Sequence, residues 1–134
     1  MIRSTFPSSL AVRLAVLLLS TGALAADGGE VSNATFTSGM SDGAPVDYRQ
    51  EFFRDTPVVY FYSELLDLQG QTVTHRWSLE GRMMQEVPIA VTSGRQSAWS
   101  KSVMQPEWTG NWAVDVVDQS GRVLGRSNFA YNPN

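Results

Sequence analysis

Cysteine is absent from all 134 residues. That absence excludes disulfides, thiolate metal sites, a cysteine nucleophile and a lipidated amino-terminal cysteine. Histidine occurs once, as His75, so any mechanism that needs two imidazoles is ruled out. No Gly-x-Ser-x-Gly elbow and no Gly-x-x-x-x-Gly-Lys phosphate loop occurs anywhere. Basic residues number 10 against 13 acidic ones, and they form no cluster. Nucleic-acid binding, which needs clustered Lys and Arg against phosphates, is therefore not expected. After residue 25 no stretch is long and apolar enough to act as a stop-transfer segment. The length fits one domain.

The first 25 residues read as an export signal. Arg3 and Arg13 supply positive charge, Leu14 to Ser20 is a short apolar run, and Ala23-Leu24-Ala25 is a small-x-small cleavage site. Cleavage after Ala25 would leave a domain over residues 26–134, periplasmic or secreted; the alternative is a retained anchor. Loss of the two arginines takes the formal net charge from −3 to −5. A chain of that size can bury a core without disulfides.

Beyond the signal, short β-prone runs alternate with turn residues. The first is Val31 to Thr37. Residues 38–57 are rich in Gly, Asp and Pro and read as a long connection. Val58 to Tyr62 has the branched and aromatic density of a buried strand, whereas Leu65 to Leu68 would form one helical turn at most. In Thr72 to Leu79 alternation puts Val73, His75, Trp77 and Leu79 on one face and Arg76 on the other. Glu80-Gly81 is a hairpin signal leading into Met83 to Val91, where Pro88 demands a sheet edge. Ser97 to Val103 follows the Ser93-Gly94 turn. Trp112 to Val117 and Arg122 to Tyr131 form a final hairpin across Asp118 to Gly121.

About seven short strands with glycine-rich turns predict an all-β fold, an immunoglobulin-like antiparallel β-sandwich. A small β-barrel is the alternative. Trp77 is placed as the central core tryptophan, with Trp112 and Phe129 as its packing partners.

Several segments together resemble a bacterial family, the domain of unknown function 2914. They are Thr72 to Trp77, Trp108-Thr-Gly-Asn-Trp112 and Asp118 to Gly125, joined by Val59 to Leu65, Gly70-Gln71 and Arg95 to Lys101. The likeness spans roughly Val31 to Tyr131. It implies an exported or membrane-tethered β-sandwich module of Gram-negative bacteria, and it brings no catalytic residues.

The residues themselves offer little chemistry. His75 shares a strand face with Val73, Trp77 and Leu79, where a histidine is expected to be a satisfied packing residue, not a base. One histidine without cysteine makes a poor zinc site. Asp42, Asp47, Asp115 and Asp118 do not follow calcium-loop spacing, and Asp118 opens a turn where it would bond its own backbone. Glu80, Glu86 and Glu107 fall at strand ends or turns, where solvated charge usually lies. No cofactor and no metal are expected.

What remains is a surface. Trp99, Lys101, Trp108 and Arg76 are the candidate binding residues. Trp99 and Lys101 share one face of a strand, against Ala98, Ser100 and Ser102; either set could face outward, and Lys101 favours an edge position. Trp108 follows Pro106-Glu107 in a connection, where it would either cap the core or bind. The expected function is a non-enzymatic cell-envelope interaction module with a protein or glycan partner. Carbohydrate or peptidoglycan binding through exposed tryptophans is the alternative, and a carboxylate-based hydrolase ranks last.

Overall fold

A computed structural model describes residues 28–133. The signal read in residues 1–25 lies outside the described residues. Those described form strands, turns and bends, with no helix among them. Seven strands of eight to ten residues carry the fold: β1 (Glu30–Thr37), β5 (Val58–Leu66), β6 (Thr72–Leu79), β7 (Arg82–Ala90), β8 (Arg95–Val103), β9 (Gly110–Val117) and β10 (Val123–Asn132). Three short strands, β2 (Met40–Ser41), β3 (Ala44–Pro45) and β4 (Glu51–Phe53), lie between β1 and β5.

The strands form two principal sheets. One has the order β4-β10-β9-β6-β7 and the other β1-β5-β8, while β2 and β3 pair as a small hairpin. All pairings are antiparallel except β4 with β10, which is parallel. This is an immunoglobulin-like β-sandwich. Neither sheet closes on itself, so the barrel alternative falls.

Alternation explains why the sheets face each other. In β6, Val73, His75, Trp77 and Leu79 are buried while Thr74, Arg76 and Ser78 are only half-buried. In β5 the buried set is Val59, Phe61, Ser63 and Leu65. Aromatic rings fill the space between. Trp77 is fully buried and makes edge contacts with Trp112 at 6.4 Å and Phe129 at 6.3 Å, and Trp112 stacks on Phe129 at 5.8 Å. Phe36 of β1 joins the layers through Phe61 (5.1 Å) and Phe129 (4.6 Å). Such pairs add about 0.5–1.5 kcal/mol each to plain area burial.

Turn chemistry fixes the registers. Glu80 and Gly81 both have positive φ, 50° and 82°, the backbone a two-residue hairpin of primed type requires. Asp118 Oδ1 accepts bonds from the amides of Ser120 and Arg122, both at 2.9 Å, and so builds the β9–β10 turn. Pro88 lies in β7, an edge strand, as its missing amide demands.

Two sequence expectations need correction. Residues 38–57 are not a bare connection, because they contain the β2–β3 hairpin and β4. Asp47 anchors that hairpin: its Oδ1 accepts the Ser38 amide at 2.8 Å and lies 2.6 Å from Thr37 Oγ1, and its Oδ2 accepts the Ser38 hydroxyl at 2.6 Å. Burial pushes the Asp47 carboxyl up, and the bonds from Ser38 and Thr37 together outweigh it and hold the group below its ordinary value. Leu65 and Leu66 do not begin a helical turn either. They extend β5, which ends at Leu66, just before Asp67 with φ +59°.

Candidate functional site

His75 lies in the sandwich interior. It is fully buried, and its ring sits between hydroxyls from the opposing sheet: Ser100 Oγ is 2.7 Å from Nδ1 and Ser63 Oγ is 3.3 Å from Nε2. Trp77 Nε1 donates to the same Ser100 oxygen at 3.0 Å, and Ser63 donates to the Ala98 carbonyl at 3.4 Å. One proton arrangement satisfies the whole chain: Trp77 donates to Ser100, Ser100 to Nδ1, Nε2 to Ser63, and Ser63 to Ala98. The imidazole is then neutral, and burial pushes its pKa down to about 4. Closed from solvent, the cluster has no path for a substrate. It ties the two sheets together.

The outward face of the β1-β5-β8 sheet differs in character. Ala98, Ser100 and Ser102 point inward, so Trp99, Lys101 and Val103 point out from β8. Trp99 stays 46% exposed. It stands directly opposite Tyr62 of β5, and Tyr62 stands opposite Thr35 of β1. The Tyr60 ring lies 5.8 Å from the Trp99 ring at 51°. Beyond Thr35, Tyr48 is 76% exposed and lines an open groove of about 510 Å³ with Tyr62, Glu64 and Pro45. Aromatic side chains thus lie side by side on β5 and β8, and Tyr48, outside the sheet, extends them past β1.

Charges flank the row. On one side Glu64 gathers three donors: Asn33 Nδ2 at 3.0 Å, Tyr62 OH at 3.2 Å and Arg95 at 3.2 Å. Asn33 reaches it because β1 bulges there, with Asn33 at φ +51°. Burial first, and then the bond to the Glu64 carboxylate, push the Tyr62 phenol above its ordinary value. On the other side lies Lys101, opposite Tyr60 and the chain's single lysine.

The four sequence candidates do not converge on one surface. Trp99 and Lys101 belong to this face. Arg76 projects from the other layer, where it pairs with Glu86 at 3.0 Å. Trp108 packs at the end of the core, its ring 6.2 Å from Trp112 and its carbonyl accepting the Trp112 indole at 2.9 Å. That is the capping arrangement. Tyr48, Tyr60, Tyr62, Glu64 and Asn33 were not singled out from sequence. The signal for three of them was present, since Tyr60, Tyr62 and Glu64 alternate against Val59, Phe61 and Ser63.

Among the described residues the acidic side chains are committed elsewhere. Among the described residues no group of three or more His, Asp or Glu could hold a metal ion. Glu80 accepts the Asn111 amide at 2.8 Å, and Asp115 is gripped by Arg126 through both oxygens, at 2.6 and 2.9 Å. Asp118 is committed to its turn.

A family model described as a protein of unknown function (DUF2914) matches residues 70–131. Over these residues the chain is similar to that family. The DUF2914 segment begins just before β6 and runs into β10, so it contains Trp77, Trp99, Lys101 and the final hairpin. Val59 to Leu65, part of the resemblance read from the sequence, lies upstream of it. No curated protein matches the chain.

Proposed function

We propose that the domain is a non-enzymatic interaction module of the cell envelope, and that it meets its partner with the outward face of the β1-β5-β8 sheet. One observation carries the reading: Trp99 on β8 and Tyr48 beside β1 are exposed, and the half-buried Tyr62 of β5 lies opposite Trp99 and lines a groove with Tyr48. Exposed aromatics cost solubility and are concentrated where proteins bind. The opposite layer presents paired charges, Arg76 with Glu86 and Arg126 with Asp115, and its exposed apolar side chains Phe53, Met83 and Val123 are spread over three strands. Localisation to the periplasm or outside the cell rests on the leader-like residues 1–25 alone.

A polypeptide partner fits this face better than a flat sugar stack. The Tyr60 and Trp99 rings are tilted, and Trp108 is packed on the core, so the two tryptophans first considered for carbohydrate make no common platform. The test is affinity capture from cells that express the full chain, with Trp99→Ala and Arg76→Ala beside the wild type. Loss of a captured protein in Trp99→Ala but not in Arg76→Ala supports the reading. Equal capture by both variants, or loss only in Arg76→Ala, refutes it.

A further inference from the structure

A strand at the edge of a sheet has a row of main-chain groups without a partner, and most edges of this sandwich are guarded against stray pairing. β7 holds Pro88, and glutamines strap it to β8. β1 bulges at Asn33, and β4 is only three residues long. That short β4 leaves most of its neighbour uncovered. β10 runs from Val123 to Asn132, but β4 pairs with Ala130, Tyr131 and Asn132 alone.

Bonds at the covered end show where the remaining groups point. The Ala130 amide donates to the Gln50 carbonyl at 3.0 Å, and the Asn132 carbonyl accepts the Arg54 amide at 3.1 Å. Even-numbered residues of β10 therefore aim their main chain at the β4 side. Alternation sends the main chain of Ser127 and Phe129 to β9, and that of Arg126 and Asn128 to the uncovered side. No described strand pairs with those two residues there. Arg126 gives the edge no charged guard, because its guanidinium is turned to Asp115 of β9. An open cleft of about 340 Å³ lies beside them, walled by Ala34 to Phe36 of β1 and by Arg49 and Gln50. Its ends are set by the Gln50–Ala130 bond and, at the start of β10, by Arg122, which holds the Gly28 carbonyl at 2.6 Å.

We propose that the β10 edge at Arg126 and Asn128 accepts an extended strand from another polypeptide, which continues the five-stranded sheet in line with β4. The N–H and C=O of the two residues offer four main-chain bonds to a strand of either direction. An extended backbone is the chemistry that matches them, so the partner's side chains are secondary to affinity. A second copy of this chain fits worse. Its own β10 edge is recessed behind the same β1 wall, and two recessed edges do not meet. The proposal uses no residue of the aromatic face and stands apart from the reading of that face.

Because recognition is by main chain, a plain strand-forming probe is a fair test: an acetylated heptapeptide of alternating threonine and valine with a terminal lysine. It would be titrated into the 15N-labelled full chain. The expected result is saturable slowing of amide exchange at Arg126 and Asn128, with the Trp99 indole signal unmoved. The same peptide with every main-chain amide N-methylated should bind at least about tenfold more weakly. Asn128→Pro removes an amide hydrogen that the fold does not use. The sandwich should persist, as the Trp77 and Trp112 indole signals would show, while binding weakens about tenfold. If that variant fails to fold, the methylated peptide decides. Equal binding of the methylated peptide, a response confined to Trp99, or no change at millimolar peptide overturns the proposal. So does protection of both amides that grows with protein concentration alone, which would assign the edge to a second copy.

Discussion

Single residues divide into those that hold the sandwich and those that it displays. Trp77→Ala empties a fully buried site between both layers and should cost about 3–5 kcal/mol. Trp99→Ala removes an outward ring and should change stability by under about 0.5 kcal/mol. Urea unfolding of the two variants checks both values, and similar losses would break the division. His75 adds a pH dependence. Above pH 6.5 both the folded and unfolded imidazoles are neutral. Between 6.5 and about 4 the unfolded chain binds a proton that the buried ring refuses, so stability falls as pH falls. The total loss is about 3 kcal/mol, complete below pH 4. In His75→Gln, whose amide can still meet both serines, the drop in unfolding free energy from urea titration across this window should shrink by that amount; an unchanged drop would show that His75 is not its source. Both core residues were legible, because alternation in Thr72 to Leu79 puts them on one face whatever the fold. The direction of Trp99 was not legible, since both of its possible neighbours, small or long, suit an edge strand.

Elements followed the alternation where it was strong. Residues 72–79 form β6 with the expected ends, and the Glu80-Gly81 turn is where its two positive-φ positions had to be. Among the misses was β4, whose Glu51-Phe-Phe53 lies in a stretch rich in turn residues. Its parallel pairing with β10 joins positions nearly 80 residues apart, which no local pattern encodes. The site was missed for a related reason. Val58 to Tyr62 reads as wholly buried by composition, and only the second sheet above it decides that Phe61 goes in while Tyr60 and Tyr62 stay out. Asp47 makes the preceding hairpin testable. Asp47→Ala should cost about 1–3 kcal/mol by orphaning the Thr37 and Ser38 groups. Amide exchange should quicken at Val46 and Arg49, whose amides bond Gly39 and Phe36, and remain slow in β6. Uniform quickening would mean that the hairpin is not a separate unit.

At the scale of the molecule, two layers with unlike outer faces are joined by one aromatic core and one polar chain through His75. The five-stranded layer shows ion pairs outward with the Phe53 ring on its edge strand, and the three-stranded layer shows Trp99. Glutamines strap the open side: Gln85 donates to the Lys101 carbonyl at 2.9 Å and Gln96 to the Ala90 carbonyl at 3.0 Å, so facing edges of β7 and β8 are bridged rather than bare. The proposed contact uses the aromatic face. Lys101 permits a direct check, because as the chain's single lysine it is the one side-chain amine available for cross-linking. Cells expressing the full chain would be treated with an amine cross-linker, with Lys101→Arg as the control and the linked peptide mapped by mass spectrometry. The expected result is a protein adduct on Lys101 that vanishes in Lys101→Arg and is diminished in Trp99→Ala. An adduct insensitive to both changes, or none at all, would contradict the assignment of this face as the contact surface.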